Sequence, residues 1–498
     1  MRRKIGRLAG VVFLIFVLGI SGGALYTQYI FQEAFHVSWA RLLHPEFIWQ
    51  KNKYPSLKPG FDIAEYLFWR TDPRNVFAPV SGRAAAARPA DWPVFAIGPQ
   101  TGPNPANDSP MHNRTVVNSA TDVVTAIGNA EPGDVITIAP GTYTFSGKSI
   151  DVAANGTDTA PISVRAKAFG TVTLRFDLQE GFHVRGANWI FENLIIDGVC
   201  SSDSWCEHAF HVVGNAHSTV IRNNWISNFN ASLKVNGASG RFPDGGTVAH
   251  NVFINDRPRQ TSNPVTMLDI VAASNWVVEA NFIADFAKAQ GDRISYGAFF
   301  KGAGEDNIFE RNLVRCEWRQ RGGTRIGFSF GGGGTDRGSC RDGKCRDEHI
   351  RGIMRNNIVM NCPNDVGVYL NKSADTLIHN NLLTGTRGID VRYPETTATI
   401  LNNVIDGRIL ARTDGNYTER GNIVSNIDAA LNRKVSSDVF AEPVEGNLAV
   451  TDEKALRSSG TPISNAARDF CGRDYATEHA QVGPFLLDDK QPCITAVP

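Results

Sequence analysis

Nine short apolar runs in this chain each follow an asparagine. Asn193 opens the first, in ENLIIDG, and Asn224, Asn251, Asn281, Asn312, Asn357, Asn381, Asn403 and Asn422 open the others, in segments such as NNWISNF, HNVFIND and RNLVRCE. Successive copies stand 31, 27, 30, 31, 45, 24, 22 and 19 residues apart. Recurrence on this scale marks a solenoid, a propeller or a helical array. Each run is a few residues of alternating character, rich in Val, Ile, Phe and Trp and bounded by Gly, Asn or Asp. That is strand and turn chemistry. Apolar residues at helical spacing are scarce between Asn193 and Asn422, which disfavours helical repeats. Most intervals are too short for a propeller blade of about 40–50 residues. A parallel β-helix fits: each coil supplies a few short strands, and successive coils pair about 4.8 Å apart. The asparagines then occupy one turn, where Asn tolerates a left-handed backbone. Their stacked amides can hydrogen-bond as a ladder. They read as scaffold rather than as catalytic groups.

On these residues the chain resembles the right-handed parallel β-helix superfamily of pectate-lyase-like proteins. The segment DVVTAIGNAEPGDVITIAPGTYT, Asp122 to Thr144, is similar to the start of that superfamily, where a short helix caps the solenoid and a Gly-Asp turn leads into the first coil. The segment ARDFCGRDYATEHAQVGPF resembles its C-terminal edge. The resemblance implies an all-β chain, a single right-handed solenoid. It speaks to fold more than to activity, because this fold carries lyases, hydrolases, esterases, epimerases and binding proteins. The expected organisation is a membrane anchor or signal segment at 1–30, a juxtamembrane extension and linker at 31–115, the solenoid at 116–450 and a C-terminal cap and tail at 451–498.

Leu8 to Leu25 is a near-continuous apolar run preceded by Arg2, Arg3, Lys4 and Arg7. A positive flank stays on the cytoplasmic side, so the bulk of the chain is expected outside the cytoplasm. The run extends to Ile30 with few polar interruptions, enough to span a bilayer as a transmembrane helix. A cleaved signal, with SGGA at Ser21–Ala24 as a poor cleavage site, is the other reading and would give a secreted protein. Export permits disulfides. The eight cysteines suggest the pairs Cys200–Cys206, Cys340–Cys345, Cys316–Cys362 and Cys471–Cys493. Lys plus Arg and Asp plus Glu both number 50, so the basic excess of a nucleic-acid partner is missing.

Strands of the form apolar-x-apolar-x precede most of the asparagines. Side chains alternate along a strand, so the x positions face outward. They pair as His183 and Arg185, His211 and Val213, Lys234 and Asn236, Asp269 and Val271, Phe299 and Lys301, Ser329 and Gly331, Tyr369 and Asn371, Asp390 and Arg392, and Leu410 and Arg412. Stacked, they give one column containing Arg185, His211, Lys234, Asp269, Lys301, Tyr369, Arg392 and Arg412. A basic and aromatic strip suits an acidic polysaccharide, with Phe299 and Tyr369 against sugar rings and Asp390 nearby. The charged loop RGSCRDGKCRDEH is expected to project beside the binding face. No helix pattern follows Gly331–Gly334, so a tight turn or a close ligand approach is expected there rather than phosphate binding.

The segment YGAFFKGAGEDNIFERN, Tyr296 to Asn312, is similar to one coil of the family that contains chondroitinase B and alginate lyases. That resemblance places Lys301 where the family carries its base, and Arg325 only approximately where it carries an arginine. Gly297, Ala298 and Phe299 stand where the family has acidic calcium ligands, so no metal is assigned and calcium lacks its expected acids. The implied chemistry is β-elimination: a base removes the C5 proton of a uronate, cations offset the charge developing on its carboxylate, and a donor protonates the leaving oxygen. Lys301 would be the base, Arg325 or Arg392 the cation and Tyr369 the donor. A non-catalytic glycan-binding or envelope-structural protein is the alternative. A glycoside hydrolase ranks lower, because Asp269 and Asp390 lie four coil steps apart, about 19 Å, whereas a hydrolase pair needs about 5–9.5 Å.

Overall fold

A computed structural model describes residues 77–80, 97–100, 114–332, 335–425, 434–463, 468–475 and 480–487. Three long parallel sheets of 12, 11 and 10 strands run side by side along the chain. The first sheet extends from Arg114–Val117 to Asn416–Arg420, the second from Gly141–Ser146 to Ile423–Val424, and the third from Ile150–Val152 to Arg408–Arg412. Each coil visits them in that order, so the fold is a parallel β-helix. Most strands of the second sheet are three residues long. Val, Ile and Phe fill the inward positions, and aromatic rings stack from coil to coil, as with Phe182 on Phe210 at 5.2 Å and Phe300 on Phe330 at 5.9 Å. The helix Ala120–Gly128, capped by Ser119 Oγ, buries Val123 and Ile127 at the N-terminal end. Gly133 and Asp134 then lead into Val135–Ile138, as the resemblance implies.

The asparagines form a continuous ladder between the first and second sheets. Asn224 donates to Asn251 Oδ1, Asn251 to Asn281, Asn281 to Asn312, Asn312 to Asn357, Asn357 to Asn381, Asn381 to Asn403 and Asn403 to Asn422, each through its backbone N–H at 2.8–3.1 Å and its amide Nδ2 at 2.9–3.1 Å. Two expectations change in detail. The left-handed bend is borne by the residue before each ladder asparagine: Asn223, His250, Ala280, Arg311, Asn356, Asn380 and Asn402 have φ of +52° to +57°, and Gly421, before Asn422, has +65°. Asn193 sits one position early. It takes the left-handed bend itself, at φ +63°, and Leu194 occupies the ladder position, its N–H bonded to Asn224 Oδ1 at 2.9 Å.

The second sheet is covered on its outer side, which is why its strands are buried on both faces. After Val424 the chain packs Phe440, Leu448, Phe470 and Phe485 against Phe282, Leu313 and other outward residues of that sheet. Ile97 joins the same apolar layer, and Gly98 N–H reaches Ala280 O at 2.8 Å. The tail therefore lies along the solenoid. Cys200–Cys206, Cys340–Cys345 and Cys316–Cys362 are bonded as expected. The last of these ties coils whose strands Leu313–Arg315 and Ile358–Met360 are paired. Cys471 is also disulfide-bonded, and Cys493 lies outside the described residues. So does the apolar run at Leu8–Ile30. Among the described residues no helix is long and apolar enough to cross a membrane.

Candidate functional site

The third sheet carries the outward residues, and its register sorts them into two columns rather than one. Asp151, His183, His211, Lys234, Asp269, Phe299, Ser329, Tyr369, Asp390 and Leu410 are successive partners. Two residues further along each strand, Val213 pairs with Asn236, Val271 with Lys301, and Asn371 with Arg392 and then Arg412. Much of this face is covered. Asp269, Phe299, Ser329, Tyr369 and Asp390 are all buried, whereas Arg185 and Arg412 are exposed.

Three charged groups meet at its middle. Lys234 Nζ lies 2.7 Å from Asp269 Oδ2, and Asp269 Oδ1 is buried without a hydrogen-bond partner. Lys301 lies in the coil after Asp269, its ammonium 4.3 Å from the centroid of the Phe299 ring. Burial pushes the Lys301 ammonium below its usual pKa and Lys234 adds to that, while Asp269 and Glu348 oppose it. Gly331 turns at φ +74° with its backbone against Asn371, and Gly332 follows so close to Lys301 that a Cβ there would stand 2.7 Å from Lys301 Cδ. The glycines thus make a tight turn that lets bare backbone cover the lysine.

The loop closed by Cys340–Cys345 rests on Ala303, two residues after Lys301. Its Arg341 stacks on Phe242 at 4.6 Å and grips Asp244 with two bonds of 2.7 and 2.8 Å. Between loop and sheet lies a cleft of about 670 Å³ lined by Lys234, Asn236, Phe242, Val271, Ser339 and Arg341. Lys301 is the next rung beyond Val271.

A second group stands further along. Tyr369, two rungs beyond Phe299, accepts hydrogen bonds from Asn371 Nδ2 at 2.8 Å and Arg392 Nη1 at 3.1 Å. Neither uses the phenol's own proton, and burial raises the pKa of that phenol. Arg392 also lies over Tyr393 at 4.6 Å. Asp390 is held by Arg412, with Nε 2.8 Å from Oδ1. Asp390 is four rungs from Asp269, so the two do not form a hydrolase pair. Arg325 is not on this face. It is 1 % exposed, its Nε bonded to Gly322 O at 2.9 Å and Nη1 to Cys316 O, because its position in Thr324–Phe330 turns it into the coil corner beside Asp285.

At the N-terminal end of the face, Arg185 pairs with Asp151 at 2.7 and 2.8 Å. His211 meets Glu180 and Asn236. Sequence reasoning passed over Glu180 because it has the parity of the inward Phe182 and Val184, and over Phe242 and Arg341 because their roles depend on loops; Asn236 and Asn371 were placed outward without a role, which their bonds to His211 and Tyr369 supply. Calcium takes six to eight oxygen ligands. Asp269 is paired with Lys234, and Lys301 rather than a further acid stands one coil on, so these residues do not make a calcium site.

No family model matches the chain. A curated relative, pectate lyase L of Dickeya chrysanthemi, is 26% identical over 143 residues, which are 26% of this chain and 32% of that protein. The match thus spans about a third of the relative's length. Among solved structures, pectate lyase Pel9A superposes with a TM-score of 0.50 at 14% identity, over 76% of this chain and 97% of that one. A rhamnogalacturonan lyase gives 0.42 at 13% identity, over 73% and 91%. The chain has the fold of the pectate-lyase-like parallel β-helices.

Proposed function

We propose that this protein is a polysaccharide lyase that cleaves a uronate-containing glycan by β-elimination, with Lys301 as base. The observation that carries the reading is the half-buried Lys301, with a pKa below the usual ammonium value, one coil from the Lys234–Asp269 pair at the edge of the cleft. Neutral Lys301 would take the C5 proton. Charge developing on the uronate carboxylate would be offset by Lys234, the bond from C4 to the leaving oxygen would break, and that oxygen would be protonated by the Lys301 ammonium. Tyr369 lies about 10 Å further along, two rungs at the usual strand spacing, with Arg392 one rung beyond it, and the two would bind the glycan there by a ring contact and an ion pair. Arg185, His211 and Arg412 would extend the track. The names of the curated relative and of the Pel9A structure, both pectate lyases, agree with an acidic glycan.

The test is to incubate the full chain with pectate, alginate and glycosaminoglycans and follow the ultraviolet absorbance of unsaturated uronate products. Product with at least one glycan, lost in Lys301→Ala, is expected. Binding without product would instead support a non-catalytic glycan-binding protein, which the distance between Lys301 and Tyr369 favours. We further propose that the chain is held outside the cytoplasm by Leu8–Ile30, in keeping with three disulfides among the described residues. Release from membranes by an alkaline wash would refute the anchor and leave the secreted form.

A further inference from the structure

Glu180, His183 and His211 make a cluster that takes no part in the proton transfer. His183 and His211 are direct partners on adjacent coils, their rings 5.3 Å apart. Glu180 reaches between them, with Oε2 3.2 Å from His183 Nδ1 and Oε1 2.9 Å from His211 Nδ1. One ligand atom from each lies within 4.8 Å of the others, and all three residues are half-buried.

The hydrogen-bond pattern around His211 sets its tautomer. Asn236 donates through Nδ2 to Gly237 O at 3.0 Å, which turns its Oδ1 toward His211 Nε2, 2.8 Å away. Nε2 must therefore carry a proton. In neutral imidazole the Nδ1 lone pair then faces the Glu180 carboxylate, an acceptor against an acceptor. A positive centre between them removes the conflict. One further proton on His211 would do so, since neutral His183 can donate its own Nδ1–H to Glu180, and so would one metal ion shared by all three residues. The second solution is within reach of these atoms. Metal–ligand bonds near 2.0–2.2 Å hold tetrahedral ligands roughly 3.3 Å apart; each histidine Nδ1 stands 3.2 or 2.9 Å from a Glu180 oxygen, and one ligand atom from each of the three residues lies within 4.8 Å of the others. A ligating histidine normally gives its other N–H to a fixed oxygen, as His211 does to Asn236.

We propose that Glu180, His183 and His211 bind a transition-metal ion of the zinc class, with Asn236 as the positioning residue for His211. Two imidazoles and one carboxylate suit zinc or its first-row neighbours rather than calcium or magnesium. Three protein ligands leave a fourth position open on the outer face. That position lies two rungs from Asp269, where a hydroxyl or carboxylate of a ligand lying along the face could fill it. The site does not depend on the lyase reading.

The test uses the untagged full chain, stripped with a chelator and titrated with zinc by calorimetry, with cobalt absorbance as a second readout. All described cysteines are disulfide-bonded, so their thiolates would not compete. Wild-type protein should bind one zinc per chain, and cobalt should give a tetrahedral d–d spectrum. Glu180→Gln and His211→Ala should each abolish the saturable site, and Asn236→Ala should weaken it about 10–100-fold, with circular dichroism unchanged. No saturable binding by the wild type, or binding unaffected by Glu180→Gln and His211→Ala, would overturn the proposal. In the first case the cluster is held by hydrogen bonds alone.

Discussion

Lys301 owes its character to a few neighbours that can be changed one at a time. If it is the base, Lys301→Ala should lower kcat by about 10²–10⁴-fold, the usual contribution of general base catalysis, with glycan binding largely retained. Its pKa is already lowered by burial, and Asp269 works against that shift. The base is active when deprotonated, so the rate should rise with pH through the Lys301 pKa. Asp269→Asn removes the group that holds the proton on, and it frees the positive charge of Lys234. Both changes should move that limb to lower pH. A pH–rate profile that stays put or moves to higher pH would show that Lys301 is not the titrating base. At Tyr369 the bonds from Asn371 and Arg392 orient the phenol, so Tyr369→Phe should raise KM more than it lowers kcat if the ring binds glycan at a neighbouring position.

At the scale of the element, the ladder and the bend beside it are separable. Asn312 accepts from the N–H and the amide of Asn281 and donates to Val278 O at 2.8 Å. Asn312→Gly should therefore leave buried donors unmet and cost about 2–4 kcal/mol. Asn193→Gly should cost less, about 1–2 kcal/mol: glycine is at ease at this left-handed position, but the bonds from Asn193 Nδ2 to Ala166 O and from Asn223 Nδ2 to Asn193 Oδ1 are lost. Chemical denaturation of the two variants measures the difference. Cys316→Ser with Cys362→Ser opens a loop of sequence separation 46 and should cost about 2–4 kcal/mol. The contrast between Asn312 and Asn193 also marks how far the sequence can be read. Period and strand alternation carried the fold, the ladder and the outward pairs, because these depend on local spacing. The one-residue slip at Asn193 was hidden, since both residues of an Asn-Leu pair satisfy the pattern. Arg325 was misplaced because a coil corner has no period, and Glu180 because it departs from alternation where its strand begins. The division of the face into two groups was out of reach, because it depends on Gly332 and on a long-range loop.

For the whole molecule, the covering of the second sheet matters most. Trp225, Phe282, Leu313, Ile358, Leu382 and Val404 lie in the apolar layer that Phe440, Leu448, Phe470 and Phe485 complete. A chain ending at Ser425 should keep all three parallel sheets but expose that layer, and so aggregate and bind hydrophobic dyes. A soluble, dye-silent truncation would show that the covering is dispensable. The same covering bears on how the molecule yields to force. A bare stack of coils, each touching only its neighbours, peels in small steps from an end. Here segments from both ends of the chain lie lengthwise across many coils, like a splint along a spring. Pulled by its termini, the protein should first resist as one body, then give way in a single large event once the splint detaches, with the coils unwinding only afterwards.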